Sequence, residues 1–560
     1  MMPRYNLLDE KWIQVAGKDT VEKVSIKELF AGAAKYKELA GDMKTQDFAV
    51  MRVMLAVLHT VFSRFDASGE PYEFFDVDSE SFLQIGELEE NYLDDYEDAL
   101  YQTWIDIWNA KEFPKVVDEY LEKWRERFFL YDDKYPFFQV TKEVIEKDAA
   151  GGGEFYGKNI NRLVSESANK GKKKHQIKYS IFSPKESYNK EYLTDDEVVR
   201  WLITLQGYSG TSDKKKVGTA KTYSKGWLYD LGGVYLKGDN LFETMMLNFV
   251  IVHDEKNNLL KIQKPCWERE SISKNINSYF HYGIDNIASL YTTWSREIFI
   301  DQKHKEENKF VCATAKLPEL EHNDAFLEPM TVWAEDKKGI KVPKKHSVHQ
   351  SIWRSFGLLT GAGEGTKRPG VIEWLNKLNN IPDLEELNKE NITICVVSML
   401  DDGTSTSWAP VDEIVDTLNI KERILVDIGN CGWVNRINYI VSKTKEIIEK
   451  KLGLFLENLM DIRKIDKNIR TKYKNKHLMQ FYFNIDLPFR LWIDSIDADD
   501  DKDKKEKEWI DTLKRELKFY VGAILSNATF KDYKGIEEGG KIKNIATIYN
   551  FFLYTLKQKN

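Results

Sequence analysis

Two histidine placements and one glycine cluster are the points at which this 560-residue sequence could support chemistry. His253-Asp254 sets an imidazole beside a carboxylate, the pairing with which metal-dependent phosphohydrolases hold a divalent cation. A second histidine pair at matching spacing is missing. His346 and His349 stand three apart after Lys344-Lys345, and two imidazoles without a neighbouring carboxylate are an incomplete ligand set. Gly361-Ala362-Gly363-Glu364-Gly365-Thr366-Lys367 has the glycines of a phosphate-cradling loop but not its Gly-Lys-Ser/Thr ending, so it is expected to be a turn. No Gly-x-Ser-x-Gly nucleophile elbow occurs. The cysteines Cys266, Cys312, Cys395 and Cys431 lie tens of residues apart with no CxxC pair, which argues against a cysteine zinc site and a disulfide framework. A binding protein without catalytic centre, metal or cofactor is therefore expected. A metal-dependent nuclease or phosphohydrolase of nucleic acids, built on His253 and Asp254, is the alternative.

Two loops suit a different role. Residues 141–190 contain Gly151-Gly152-Gly153 and Lys170-Gly171-Lys172-Lys173-Lys174-His175 with weak periodicity. Residues 207–238 contain Gly207, Gly210, Lys214-Lys215-Lys216, Gly218, Lys221, Lys225-Gly226, Gly232-Gly233 and Gly238. Lysines neutralise phosphates and release counterions. Glycines let backbone amides approach a groove or phosphate where a side chain would collide. The plainer reading is surface loops solubilised by lysine. Formal charge is −8, from 90 acids against 82 bases, so bulk coating of nucleic acid is disfavoured. The acidic stretch 70–108 reads as a solvated helical face or as a docking face for a basic neighbour.

These loops need elements to hold them. Tyr5 to Val15 alternates well enough for a short strand pair, and a broad apolar face from about Gln46 to Phe65 predicts a helix. Mixed strand and helix patterns continue to about residue 420. Residues 436–462, 476–495, 507–527 and 541–557 carry apolar residues at helical spacing, and short polar links between them imply an antiparallel bundle. The expectation is an α+β chain, with a large mixed α/β N-terminal domain over 1–425 and a C-terminal four-helix bundle over 426–560. The charged N-terminus lacks a secretory signal, and no apolar run reaches the roughly 18 residues that span a bilayer, so a cytoplasmic protein with no membrane partner is expected.

The order of short motifs raises a resemblance. Asn6-Leu7-Leu8-Asp9-Glu10-Lys11-Trp12-Ile13-Gln14-Val15, Tyr135-Pro136-Phe137-Phe138-Gln139, Gly238-Asp239-Asn240-Leu241-Phe242-Glu243-Thr244-Met245-Met246-Leu247-Asn248, Pro265-Cys266-Trp267-Glu268 and Tyr291-Thr292-Thr293-Trp294 follow one another as in the CasA family. That family is the large subunit of the type I-E CRISPR surveillance complex, Cascade. The resemblance spans the whole chain. It implies a non-catalytic subunit, with other Cascade subunits, the CRISPR guide RNA, double-stranded target DNA and a helicase-nuclease effector as partners. The implied work is inspection of duplex DNA for the protospacer-adjacent motif, a start to R-loop formation and recruitment of the effector, while guide pairing chooses the sequence.

The resemblance also implies positions. The family's first loop falls within 141–190, with its Phe-Val-Asn-like segment at Ile181-Phe182-Ser183. The glycine loop that enters the minor groove matches Gly218-Thr219-Ala220-Lys221, ahead of Lys225. A groove-probing lysine corresponds to Lys316. The family's hairpin wedge falls at Asp401-Asp402-Gly403-Thr404-Ser405, where this chain departs by having no glutamine. Some relatives carry a cysteine-rich metal site; those cysteines are absent here, so no zinc is expected.

Overall fold

The helix Lys44–Phe62 is apolar nearly all round, and every residue from Thr45 to Phe62 is buried. A helix of that pattern has to be enclosed by other elements. The helices Asp195–Tyr208 and Ile287–Tyr291 pack against it. The computed structural model describes residues 4–148, 153–156, 185, 189–210, 215–223, 225–253, 255–281, 283–302, 309–381, 391–401, 403 and 410–558. Two compact units are present: Met1–Ser347 with Gly365–Glu385 and Thr393–Thr417, and Val348–Glu364 with Glu386–Ile392 and Leu418–Asn560. Helices and strands alternate through the first unit, and the fold is mixed α/β. No described helix is long and apolar enough to cross a membrane.

Two polar side chains inside the first unit are answered in kind. Arg52 donates two hydrogen bonds of 2.7 Å to Glu328, and Trp227 Nε1 donates a third at 2.7 Å. Burial pushes the Glu328 carboxyl up, and the Arg52 guanidinium outweighs it, holding the group below the usual range. Arg64 makes a matching fork to Glu268 at 2.8 Å, and Tyr120 donates to the same carboxylate at 2.7 Å.

Three small sheets surround this core. The strand Ile13–Ala16 lies between Val21–Val24 and Glu38–Leu39. The pair expected over 5–15 therefore shifts toward the C-terminus. Leu7 and Leu8 are both fully buried, which breaks the alternation a strand would need, and the Asn6 side chain accepts from Leu8 N–H to make a turn. The strand Val311–Lys316 lies between Gly153–Tyr156 and Arg296–Ile300. The long strands Ile392–Asp401 and Pro410–Ile420 are neighbours, with Gly233–Lys237 on the far side of the first. The acidic stretch 70–108 ends in the helix Leu93–Ala110, which buries Tyr96, Leu100, Trp104, Ile107 and Trp108 and exposes Asp94, Asp95 and Asp98.

The second unit is mostly helical. Trp433–Ile447 continues through a π-helical turn, Ile448–Gly453, into Leu454–Ile462; Lys467–Asp494, Lys502–Ser526 and Ile545–Lys557 follow. Trp509, Leu513, Leu517 and Val521 repeat every four residues and are fully buried. Trp509 packs edge-on to Phe489 and donates to Thr444 Oγ1 at 2.8 Å. Trp353 stacks on Phe489 at 4.1 Å and donates to Asp486, which draws 348–364 into this unit. The helix expected from 541 begins instead at Ile545. Residues Lys541–Lys543 pair with Ile536–Glu538 across a two-residue Gly539-Gly540 turn, the signature of a hairpin.

Two outcomes follow from the buried charges. Glu328→Gln strands the Arg52 guanidinium without a counter-charge and is expected to cost about 3–5 kcal/mol in urea unfolding. The double variant Arg52→Met/Glu328→Leu should recover part of that loss; equal losses in the single and double variants would refute the coupling. Glu297 is fully buried, and burial followed by the Asp148 carboxylate pushes it up to about 8. Between pH 4.5, its ordinary value, and about 8 the folded chain keeps a proton that the unfolded chain releases. This group's contribution to stability therefore falls as pH rises through that window. Unfolding midpoints of wild type and Glu297→Gln should converge toward low pH and separate toward pH 8, the variant losing less.

Candidate nucleic-acid interface

The glycine loop and Lys316, a hundred residues apart in sequence, meet in the structure. Lys216 and Lys316 form a parallel bridge: Val217 N–H donates to Lys316 O at 2.9 Å and Lys316 N–H to Lys215 O at 3.0 Å. Farther along, Tyr223 bridges Pro318 and Glu319 N–H donates to Thr222 O at 3.2 Å. His322 then stacks on Trp227 at 4.1 Å and donates through Nε2 to its carbonyl at 3.0 Å. Both ends of 218–221 are thus laced to one neighbouring stretch, 316–322. That tip exposes Gly218, Thr219 and Lys221, with Ala220 half-buried.

The shape of the tip is fixed from inside. Gly218 has φ +58°, and a Cβ there would lie 3.0 Å from the Phe280 ring. Tyr223 Oη donates to Gly218 O at 2.7 Å and accepts from Ala220 N–H at 3.0 Å, closing the loop with one side chain. Lys216 lies 4.7 Å from the centre of the Tyr223 ring. Lys316 is 8% exposed, so its backbone organises the loop while its side chain is largely enclosed.

The hairpin base joins through charge. Lys225 pairs with Asp230 at 2.5 Å. Lys345 reaches Asp230 at 3.5 Å and Asp401 at 3.2 Å, and sits 4.1 Å over the Tyr229 ring. Asp401 accepts from Gly403 N–H at 2.8 Å, where the exposed Gly403 has φ +67°. Lys225 and the start of the hairpin tip therefore share one acid–base cluster. Phe182, Ser183, Thr404 and Ser405 lie outside the described residues. Tyr223, Phe280 and Lys345 do much of the positioning and were not singled out by sequence. Lys345 stood beside a noted histidine, but nothing local marks Phe280, whose partner is sixty residues away.

The histidines are engaged by backbone and amide groups. His253 Nε2 donates to Phe326 O at 2.7 Å, while Nδ1 accepts from Glu255 N–H at 3.1 Å and from Asn258 Nδ2 at 2.9 Å; Asp254 is outside the described residues. His346 is buried against Gly233 O at 2.9 Å, and burial pushes it down to about 4. His349 is exposed. Among the described residues no three His, Cys, Asp or Glu side chains converge as a metal would require. The glycine cluster at 361–367 begins as a turn, with Gly361 in the left-handed conformation at the end of the helix Phe356–Thr360.

The family model for CRISPR-associated protein Cse1 matches residues 6–518. The chain belongs to the Cse1 family. A curated relative, CRISPR-associated protein CasA/Cse1 of Thermus thermophilus, is 23% identical over 409 residues, 72% of this chain and 68% of that protein. Among solved structures, Thermobifida fusca Cse1 covers 99% of this chain and 98% of its own at a TM-score of 0.74 and 20% identity. A chain of a CRISPR RNA-guided surveillance complex covers 99% of this chain and 100% of its own at 0.66 and 14% identity. These structural likenesses establish a shared fold.

Within this Cse1-family chain the Tyr223 hydroxyl is the most economical handle on the loop. Tyr223→Phe removes two hydrogen bonds without changing volume. Global stability should fall by no more than about 1 kcal/mol. Hydrogen exchange at the Ala220 amide should accelerate by roughly five- to tenfold, the weight of one lost bond. Unchanged exchange at Ala220 would show that the clamp does not hold the loop.

Proposed function

We propose that the chain is the non-catalytic large subunit of a type I-E CRISPR Cascade complex. In this reading it inspects duplex DNA for the protospacer-adjacent motif, helps start R-loop formation and recruits the helicase-nuclease. Its other partners are the remaining Cascade subunits and the guide RNA, and its place is the cytoplasm. Family membership supports the coarse reading. The observation that carries the finer one is the exposed Gly218–Lys221 tip, laced at both ends beside Lys316 and ordered from within by Tyr223.

The tip has the properties a groove reader needs. It is narrow, its backbone is exposed at Gly218 and Thr219, and its ordering entropy is already spent before DNA arrives. Lys221 has no ion-pair partner among the described residues and can exchange counterions for a phosphate. Phe182 and Ser183 on the first loop, and Gly403, Thr404 and Ser405 on the hairpin, complete the proposed DNA-facing set. Lys225 contributes through the Asp230 and Lys345 cluster, and Lys316 mainly through its backbone. The domain reading goes with it: 1–425 carries the DNA-facing loops, and the helices of 426–560 form an antiparallel four-helix bundle that presents a partner surface.

Gly218 is a poor place to test this, because φ +58° and the Phe280 contact make any side chain there distort the loop before DNA is present. Thr219 is exposed and free of that constraint. In the reconstituted complex, Thr219→Tyr should weaken motif-bearing duplexes by roughly tenfold while changing motif-free duplexes little. Lys221→Ala should weaken both classes alike and reduce the salt slope by about one. A Thr219→Tyr complex with its motif preference intact would move the reader elsewhere. The alternative metal-dependent nuclease predicts that purified chain cuts DNA with Mg²⁺ or Mn²⁺ and that His253→Ala abolishes cutting; no cutting is expected.

A further inference from the structure

A pocket in the first unit lies between residues 135–138, the turn Cys266–Glu268 and the start of the helix Ile272–His281, with Trp294 in one wall. Its cavity is small, about 30 Å³, and partly open to solvent. Arg127 and Arg269 both line it, and no Asp or Glu does. In a chain of net charge −8, two guanidinium groups facing a space without an acid are an unusual local excess.

The two arginines are incompletely answered. Arg127 lies 3.4 Å over the Tyr135 ring, burial pushes its pKa down, and it has no ion-pair partner among the described residues. Arg269 donates to Ser289 Oγ at 3.2 Å, while its buried Nε has no hydrogen-bond partner. Two further donors in the walls are orphaned. Asn275 is 4% exposed and Trp294 6%, and neither Asn275 Nδ2 nor Trp294 Nε1 has a hydrogen-bond partner. Each leans on a weak acceptor, the Asn275 amide on the Tyr279 hydroxyl and the Trp294 indole on the Cys266 thiol; these contacts pull both pKa values down against burial but fall short of full hydrogen-bond geometry. Buried donors left unmatched cost free energy that an acceptor in the pocket would return.

Two backbone features act in the same direction. The ten-residue helix Ile272–His281 begins in the pocket wall, and its N-terminal end adds positive potential. Phe138, also in the wall, has φ +56°, a conformation rare for a bulky side chain and concentrated at functional sites.

We propose that this pocket binds a small oxyanion of the phosphate or sulfate type through the guanidinium forks of Arg127 and Arg269. Planar forks match such oxygens bidentately. This site is separate from the proposed DNA-facing loops, and its test uses no DNA, so either reading can fail alone.

The full-length chain is titrated with sodium phosphate, sodium sulfate or adenosine monophosphate at ionic strength held constant with sodium chloride. Calorimetry should show saturable binding of phosphate and sulfate, and the melting temperature should rise with either. Tighter binding of the monophosphate assigns the oxyanion to a phosphate ester, and weaker binding to the free ion; both support the class. Arg127→Gln and Arg269→Gln should each weaken phosphate at least tenfold, whereas Arg125→Gln, an arginine paired with Glu122 and Asp9 outside the pocket, should not. Should an arginine variant fail to fold, wild type labelled on its indole nitrogens gives a second reading. The Trp294 indole resonance, assigned with Trp294→Phe, should shift saturably with phosphate. No saturable response at constant ionic strength, or an equal response to chloride alone, overturns the proposal.

Discussion

A guanidinium in the middle of a fully buried helix leaves the surrounding chain one workable solution, and much of the first unit is arranged to supply it. Arg52 occurs where every neighbour from Thr45 to Phe62 is enclosed, so it needs a carboxylate with two well-aimed oxygens. Glu328 supplies them, and Tyr291 covers the guanidinium face at 4.1 Å. One of those oxygens also receives the Trp227 indole. That third bond reaches the loop, because Trp227 stands just after the glycine loop and stacks on His322 from the opposing stretch. The central helix is thereby coupled to the loop by a short chain of charge-assisted contacts.

Glycine plays two different parts around this loop. A Cβ on Gly226 would lie 2.2 Å from Gly207 O, so two parts of the glycine-rich stretch 207–238 cross backbone to backbone. Glycine there permits close packing. Gly218 instead shapes an exposed tip over Phe280. Composition treats the two as equivalent, and coordinates separate them.

The long apolar helix at 46–65 was legible because its signal is local and strong, and Lys44–Phe62 differs from it by only a few residues at each end. The helical texture after residue 430 was legible for the same reason. The hairpin before the last helix was missed although Gly539-Gly540 marks it, because the helical spacing was carried back over the strand Lys541–Lys543. The loop was marked by its glycines and lysines and narrowed to 218–221 by resemblance, whereas Lys316 was named from resemblance alone. Their meeting rests on backbone hydrogen bonds, which leave no trace in side-chain pattern. Tyr223 was invisible for a related reason: a tyrosine that closes a loop through its hydroxyl looks in sequence like any other aromatic.

The lysines of this region differ in what they can give a phosphate. Lys225 and Lys345 are held by Asp230 and Asp401, so either must exchange one carboxylate for a phosphate and gains only the difference. Lys216 is oriented over Tyr223, and Lys316 is largely enclosed. Lys221 stands on the ordered tip without an ion-pair partner among the described residues, so it can offer its full counterion-release gain. Under the proposed function, an acidic protein would thus address DNA at one point without coating it. The paired lysines tie the loop to the hairpin base, and under the proposed function the exposed one would supply the sequence-independent attraction that brings the tip to a groove.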